Sequence, residues 1–271
     1  MKDRWLSVFA LSAVVVIGLI FFVIVGDVLS RGAVSLSWDF LVELPERAGR
    51  EGGILSVLVS TLLILSICIS VTVVIGMGCA VYLSDAVASK SGFHKWVERS
   101  LDLLSGMPSI LFGLFGNAFF CKTLGLGFSI LSGGLTLACM ALPLFIRTSQ
   151  LGLQMVPVEY RHSAEALGLS RWTRIRVIVL PVALPSLLAG LALSIGRALA
   201  ETAALIFTSG YVSRMPESLL DSGRALSVHI YDLSMNIPGG DVNAYRSACV
   251  LLVVILLVNL GVSFGATRVV R

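Results

Sequence analysis

Two opposite charges, Arg197 and Glu201, lie inside the apolar stretch Leu187 to Phe207 of this 271-residue chain. A charge at the centre of a bilayer costs ~2.5–3.5 kcal/mol on insertion scales, so such residues usually face a bundle interior and have a function. Within a helix they would continue a stripe of small and polar residues at steps of four and three: Gly190, Ser194, Arg197, Glu201, Ala204 and Thr208. The stripe predicts either an internal ion pair that fixes helix packing, or a path lining in which the guanidinium binds an oxyanion.

A basic, helix-forming segment, Val158 to Ile178, precedes this stretch. Its apolar residues recur at spacings of three to five, its arginines lie off that stripe, and Gly168 interrupts the pattern, so we expect two short helices with a turn at Gly168. The apolar positions are Ala164, Leu167, Trp172, Ile175 and Val179. Such a segment either lies on the anionic inner leaflet of a membrane or inserts into a cleft of a cytoplasmic protein.

The composition predicts an all-α, polytopic membrane protein. Hydrophobic residues make up 56% of the chain, charged residues 13%, against roughly 25% in soluble domains, and the mean hydropathy is +0.94. The net charge of +4 does not indicate nucleic-acid binding, and the five cysteines have no metal or redox spacing. We predict about six spans, at Trp5–Val25, Gly53–Leu83, Leu101–Cys121, Ile130–Ile146, Ser186–Gly210 and Ser247–Thr267.

The positive charges favour a topology with both termini in the cytoplasm. With the N-terminus inside, twelve Lys and Arg residues fall on the inside and seven on the outside, and Arg197 lies within a span. The first apolar run is longer than a signal-peptide core and ends in Gly26-Asp27, so we expect an uncleaved first span rather than a cleaved signal peptide. We divide the chain into residues 1–52, a first helix with an outer loop, and residues 53–271, a five-helix transmembrane domain with a cytoplasmic loop at about 152–185.

Other classes of function fit the sequence poorly. The chain has no G-x4-G-K-[ST] loop, so it does not hydrolyse ATP itself, and no cofactor is indicated. An intramembrane enzyme would need a nucleophile and base or metal ligands inside spans, but His94, His162 and His229 all lie in predicted loops. A passive channel would have no use for the basic segment.

The basic segment resembles the "EAA" loop of permeases of ATP-binding-cassette importers, which follows the pattern E-A-A-x3-G-x9-I-x-L-P. Ala164, Gly168, Ile178, Leu180 and Pro181 fit that spacing. His162 and Ser163 replace the usual glutamate and alanine, and Glu165 is placed to supply the missing carboxylate. The resemblance implies that these eight residues dock an ATPase.

The charged span narrows the resemblance to PstA-type permeases of phosphate importers. Gly196 to Thr208 reads GRALAETAALIFT and resembles the family signature G-R-A-x-G-E-T-A-P-L-L-F-T, with alanine at positions 200 and 204. Ser105 to Phe115, which reads SGMPSILFGLF, resembles a second segment of that family.

The resemblance implies a type I ABC importer permease of the inner membrane. Its implied partners are a PstC-type permease, two copies of a PstB-type ATPase and a PstS-type phosphate-binding protein, and its implied path residues are Ser194, Arg197, Glu201, Thr202 and Thr208. Two alternatives stay open: an importer for another oxyanion such as molybdate or sulfate, and the PstC-type sister subunit, which shares part of the signature.

Overall fold

The computed structural model describes residues 2–84 and 91–269, and within them the chain is a bundle of helices. Lys90 and Arg271, two of the charges used to orient the chain, lie outside the described residues. In chain order the helices are α1 (Lys2–Gly32), α2 (Trp38–Val42), α3 (Leu55–Ser84), α4 (Gly92–Ser105), α5 (Ser109–Gly116), α6 (Ile130–Gln154), α7 (Val158–Ala166), α8 (Arg171–Arg174), α9 (Leu180–Ala200), α10 (Ala203–Ile206), α11 (Leu226–Met235) and α12 (Asp241–Val269).

Five described helical stretches are long and apolar enough to cross a membrane, and a bent helix pair makes a sixth. The predicted first, second, fourth and sixth spans are confirmed as α1, α3, α6 and α12. The fourth runs two turns beyond its predicted end, to Gln154, so the loop that follows is shorter than predicted. The all-α, roughly six-span prediction is therefore confirmed.

The predicted third span, Leu101–Cys121, is not one helix. It breaks at Met107 and Pro108 into α4 and α5, which are bent by 106° relative to each other. Proline lacks an N–H and disfavours helix in the residue before it, so the chain turns there. The α5 helix continues into a π-helical turn, Asn117–Thr123.

The predicted fifth span, Ser186–Gly210, starts and ends too late. The helical path runs from α8 through a π-helical turn, Ile175–Val179, into α9, and it stops at Ala200. Pro181 and Pro185 lie inside this helical path rather than before it. Pro181 has no N–H to donate, and the π-helical turn just before it tolerates the missing hydrogen bond. Arg197 therefore lies in the last turn of α9 and not midway along an unbroken helix.

Close glycine contacts hold α6 against α3 and α9. A Cβ on Gly76 would lie 2.6 Å from Phe145 Cδ1, and one on Gly152 would lie 2.5 Å from Ser186 Cβ. A Cβ on Gly190 would likewise collide with Thr148. The pairs Gly152–Ser186 and Thr148–Gly190 show that α6 and α9 are antiparallel, in a single register. Continuing that register places Arg197 level with Ala141, near the middle of α6.

The two ends of the bundle differ. One end of the bundle carries α7 and α8; we call this the coupling end, and the stretch from α7 to α8 the coupling segment. The hairpin end carries a short antiparallel hairpin, β1 (Pro45–Glu46) and β2 (Glu51–Gly52), whose turn contains Ala48 and Gly49 at φ of 63° and 98°. This hairpin is the one departure from helix and loop among the described residues, and it precedes α3.

Candidate functional site: a broken charged helix and a coupling segment

The charged stripe is interrupted where α9 ends. Glu201 has extended backbone angles (φ −76°, ψ 125°), and its Oε1 accepts a hydrogen bond from Ala204 N at 3.3 Å. The ion pair that an unbroken helix would allow between Arg197 and Glu201 is not formed, since Arg197 has no ion pair or hydrogen bond within residues 2–84 and 91–269. The Arg197 side chain is exposed in the single subunit.

The five predicted path residues fall into two groups. Arg197 is exposed, and Glu201 and Thr202 are half-buried at the break. Ser194 and Thr208 are buried, and their hydroxyls donate to their own backbone, Ser194 to Gly190 O and Thr208 to Ala204 O. Of these five, only Arg197, Glu201 and Thr202 are accessible to a solute in this conformation.

The segment after the break packs against α5, a contact that sequence reasoning did not identify. Asn117 Nδ2 donates to Phe207 O at 2.7 Å, and a Cβ on Gly113 would lie 2.9 Å from Ala204 Cα. Ser227 Oγ, on α11, donates to Glu201 O at 2.6 Å. Two short helices, α5 and α10, thus form a layer beside the charged break. The small residues Gly113 and Gly116 are the feature of the sequence that could have indicated this close packing.

The coupling segment has the predicted shape. Helices α7 and α8 are joined by a turn in which Gly168 has φ 68°, a left-handed value that favours glycine. Ala164 is fully buried, whereas Leu167 and Trp172 are 75% and 66% exposed. Ile178, Leu180 and Pro181 follow α8; Leu180 packs on the buried end of α6, and Pro181 is exposed.

Glu165 is the centre of a small charge cluster on this segment. Its carboxylate forms an ion pair with Arg174, and His162 Nδ1 lies 3.5 Å from its Oε2. The hydrogen bond from Arg174 is the main reason that the pKa of Glu165 lies below its usual range. Glu165 and Ser163 are exposed, as is the side chain of His162, so this charged surface is open to a partner.

The hairpin end contains a buried charge cluster around Arg224. In the sequence, Arg224 counted only as one positive charge of an outer loop. Arg224 Nη2 lies 3.2 Å from Asp232 Oδ2, and its Nε donates to Tyr211 O at 2.8 Å. Its Nη1 reaches Ala48 O in the hairpin turn and His229 Nδ1. Burial, and then the Arg224 charge, lower the pKa of His229 to about 4. The cluster fixes the hairpin to α11.

A second unpredicted cluster joins α4 to α6 at the coupling end. Arg147 forms ion pairs with Asp102 and Glu98, and Gln150 Nε2 donates to Glu98 at 3.3 Å. These contacts hold the amphipathic α4 across the end of α6.

A family of known transport proteins matches most of this chain. Residues 72–270 match the model of the binding-protein-dependent transport system inner membrane component. The chain belongs to this family. The match includes α4 to α12, the part of the chain that contains both the charged break and the coupling segment.

Similar permeases extend the match beyond the family model. A protein described as "Probable ABC transporter permease protein YqgI" from Bacillus subtilis is 27% identical over 97% of this chain and 92% of its own length. Phosphate transport system permease proteins from Mycobacterium bovis (PstA 2) and Mycobacterium leprae (PstA) are 30% and 32% identical over 85% and 79% of this chain, and 76% and 70% of theirs. The predicted resemblance to PstA-type permeases is confirmed.

Solved importer permeases share the fold. A chain of the MetNI methionine ABC transporter in an inward-facing conformation superposes with a TM-score of 0.65 at 16% identity, over 80% of this chain and 97% of its own. A chain of a bacterial transporter that imports the polysaccharide alginate gives 0.64 at 16% identity, over 97% and 96%. The predicted type I ABC importer fold is thereby confirmed.

Proposed function

We propose that this chain is the PstA-type permease subunit of an ATP-driven phosphate importer. It pairs with a PstC-type permease to form the phosphate path, two PstB-type ATPases bind the coupling segment, and a PstS-type protein delivers phosphate. Support comes from the phosphate permeases of Mycobacterium bovis and Mycobacterium leprae described above, which are at least 30% identical to this chain over most of its length. Both termini and the coupling end face the cytoplasm in this proposal, in the orientation that the positive charges favour.

The observation that carries the proposal is the environment of Arg197. It lies in a membrane-spanning helix, level with the middle of α6, yet its guanidinium is exposed and makes no ion pair among the described residues. Contact with lipid tails would be costly for an arginine at that depth. Its face therefore borders a second permease or an aqueous path, and a path for an oxyanion needs a positive group to offset desolvation.

The break after Ala200 supports a path at this level. Glu201 leaves the helix with extended backbone and Thr202 is the N-cap of α10, and irregular backbone at membrane depth is tolerated where it is buried in protein or lines a cavity. Anion binding by Arg197 and rearrangement of the α5–α10 layer would link substrate to the conformation of the break. Movement of the coupling segment by the ATPases would supply the work, because α8, the π turn and α9 form one helical path to Arg197.

Phosphate uptake in cells that lack other phosphate importers tests this function. We expect Arg197→Gln to abolish uptake with normal membrane level and ATPase assembly, and Arg197→Lys to keep partial activity because it retains the charge without the guanidinium fork. Arg99→Gln, an exposed arginine on α4, is the matched control and should transport normally.

Three results would contradict the proposal. Wild-type uptake by Arg197→Gln would remove Arg197 from the path. Loss of the variant from the membrane would favour a structural role. Inhibition of phosphate uptake by excess sulfate or molybdate, with uptake of those ions by the same complex, would assign the importer to another oxyanion.

A further inference from the structure

An apolar groove of about 350 Å³ opens on the bundle near its hairpin end. Its walls come from α2, α3, α9, α11 and α12, and from Leu36 just before α2. Leu226 and Val250 are buried in it, and Leu62 and Val253 are exposed at its mouth. The polar group at its wall, Thr61, is already satisfied, since its hydroxyl donates to Val57 O at 2.7 Å and accepts from Leu226 N at 2.9 Å. The groove therefore offers an apolar ligand no competing polar contacts.

The groove lies within the membrane-spanning part of the bundle. Its lining residues on α3 fall in the first three turns of that helix, and those on α12 fall inside the candidate span Asp241–Val262. Both helices start at the hairpin end, so the groove is level with the acyl chains of one leaflet, the one at the hairpin end.

An arginine without a carboxylate partner lies one helical turn from the groove, on the side of the hairpin end. Arg246 precedes Val250 by four residues and shares its helix face. Its Nη1 donates to Asn243 Oδ1 at 3.1 Å, and its Cζ lies 5.6 Å from the centre of the Phe40 ring. Its Nε is buried and has no hydrogen-bond partner within the described residues.

Most other arginines at this end are paired differently. Arg31, Arg47, Arg214 and Arg224 each lie within ion-pair distance of a carboxylate, whereas exposed Arg50 and partly buried Arg246 form no ion pair within the described parts of the chain. The Arg246 side chain as a whole is only partly buried, and a guanidinium is well suited to form paired, charge-assisted hydrogen bonds with a phosphodiester.

We propose that this groove binds one phospholipid of the leaflet at the hairpin end, with an acyl chain in the groove and its phosphodiester at Arg246. A lipid suits the groove because its walls are apolar, and Leu62 and Val253 at its mouth are exposed at the depth of the acyl chains. Charge also favours the lipid, which brings an anion to the depth of Arg246. The proposal goes beyond phosphate transport and does not depend on which solute the chain moves.

Native mass spectrometry of the complete transporter, stripped of lipid and titrated with dioleoylphosphatidylglycerol, tests the site. We expect one tightly bound lipid per wild-type complex at this site. Arg246→Gln should weaken its binding about tenfold, because a charge-assisted hydrogen bond is lost, and Arg246→Lys should retain most of it. Leu62→Trp, a substitution at the exposed mouth, should remove it by filling the groove.

Arg214→Gln, at the same end but outside the groove, is the matched control and should bind lipid as the wild type does. Normal ATPase co-purification identifies correctly assembled variants. Equal lipid binding in all variants would overturn the proposal. So would displacement of the lipid by inorganic phosphate, or a helix of the second permease in the groove in a map of the complex.

Discussion

The carboxylate of Glu165, near the end of α7, forms an ion pair with the guanidinium of Arg174, the last residue of α8. The two helices are thus joined both by the Gly168 turn and by a charge pair across it. This pair lies on the segment that resembles the ATPase-docking loop of importer permeases, where His162 stands in place of the usual glutamate. We infer that Glu165 here stabilises the shape of the segment.

We expect the Glu165–Arg174 ion pair to support ATPase docking as one contact, so that losing either side chain has the same effect. We expect Glu165→Ala and Arg174→Ala each to reduce ATPase co-purification several-fold, and the double variant to be no worse than either single one, because each change breaks the same contact. Glu159→Ala, in the first turn of α7, is the control and should have a smaller effect. Additive losses in the double variant would mean that the two side chains contact the ATPase separately.

Gly168 should be required for its backbone conformation rather than for space. No atom lies within 4 Å of the position that a Cβ would take, but φ is 68°. A left-handed conformation costs an L-residue roughly 1–2 kcal/mol, and asparagine adopts it more readily than β-branched residues. Gly168→Val should therefore insert normally but release the ATPase, while Gly168→Asn should keep it, as judged by co-purification. Equal loss in both variants would indicate a contact with the ATPase instead.

Two glycines of α3 provide a matched test of helix packing. A Cβ on Gly76 would lie 2.6 Å from Phe145 Cδ1, whereas one on Gly78 would meet nothing within 4 Å. Gly76→Val should lower the free energy of unfolding by about 1–3 kcal/mol through overpacking, and Gly78→Val should change it far less. Thermal unfolding of the purified protein in detergent measures the difference. Similar losses at both positions would show that α3 and α6 adjust to the added methyl groups.

The stability of the hairpin end should depend on pH through His229. Its pKa falls from 6.5 to about 4 on folding, so the unfolded chain binds more protons between these values and stability declines as the pH falls from about 6.5 to about 4. The loss attributable to this residue is about 3 kcal/mol at the acid limit. His229→Asn should flatten that part of the profile, measured as melting temperature against pH, and exposed His162→Asn should leave it unchanged. An unchanged profile in His229→Asn would assign the acid sensitivity to other groups.

Hydropathy alone located most of the architecture. The runs at α1, α3, α6 and α12 are long enough to cross the bilayer core and carry few charges, so their transfer into lipid is favourable whatever their neighbours are. The turn at Gly168 was equally local, because a glycine between two amphipathic stretches needs no distant contact to end a helix. The family signature around Arg197 also required no three-dimensional information.

The ends of the charged span depended on the fold. Residues 187–207 read as one apolar helix, yet the chain leaves the helix after Ala200, where Ser227 Oγ contacts Glu201 O and α10 packs on Gly113. These contacts join residues distant in sequence, so the local sequence does not reveal where the helix ends. The same holds for Arg224, a loop charge in the sequence that is buried only because Asp232, His229 and Ala48 O surround it. The sequence by itself determined which segments enter the membrane, since that depends on local apolar content; tertiary structure decided where helices break and which charges pair, since both depend on contacts between distant residues.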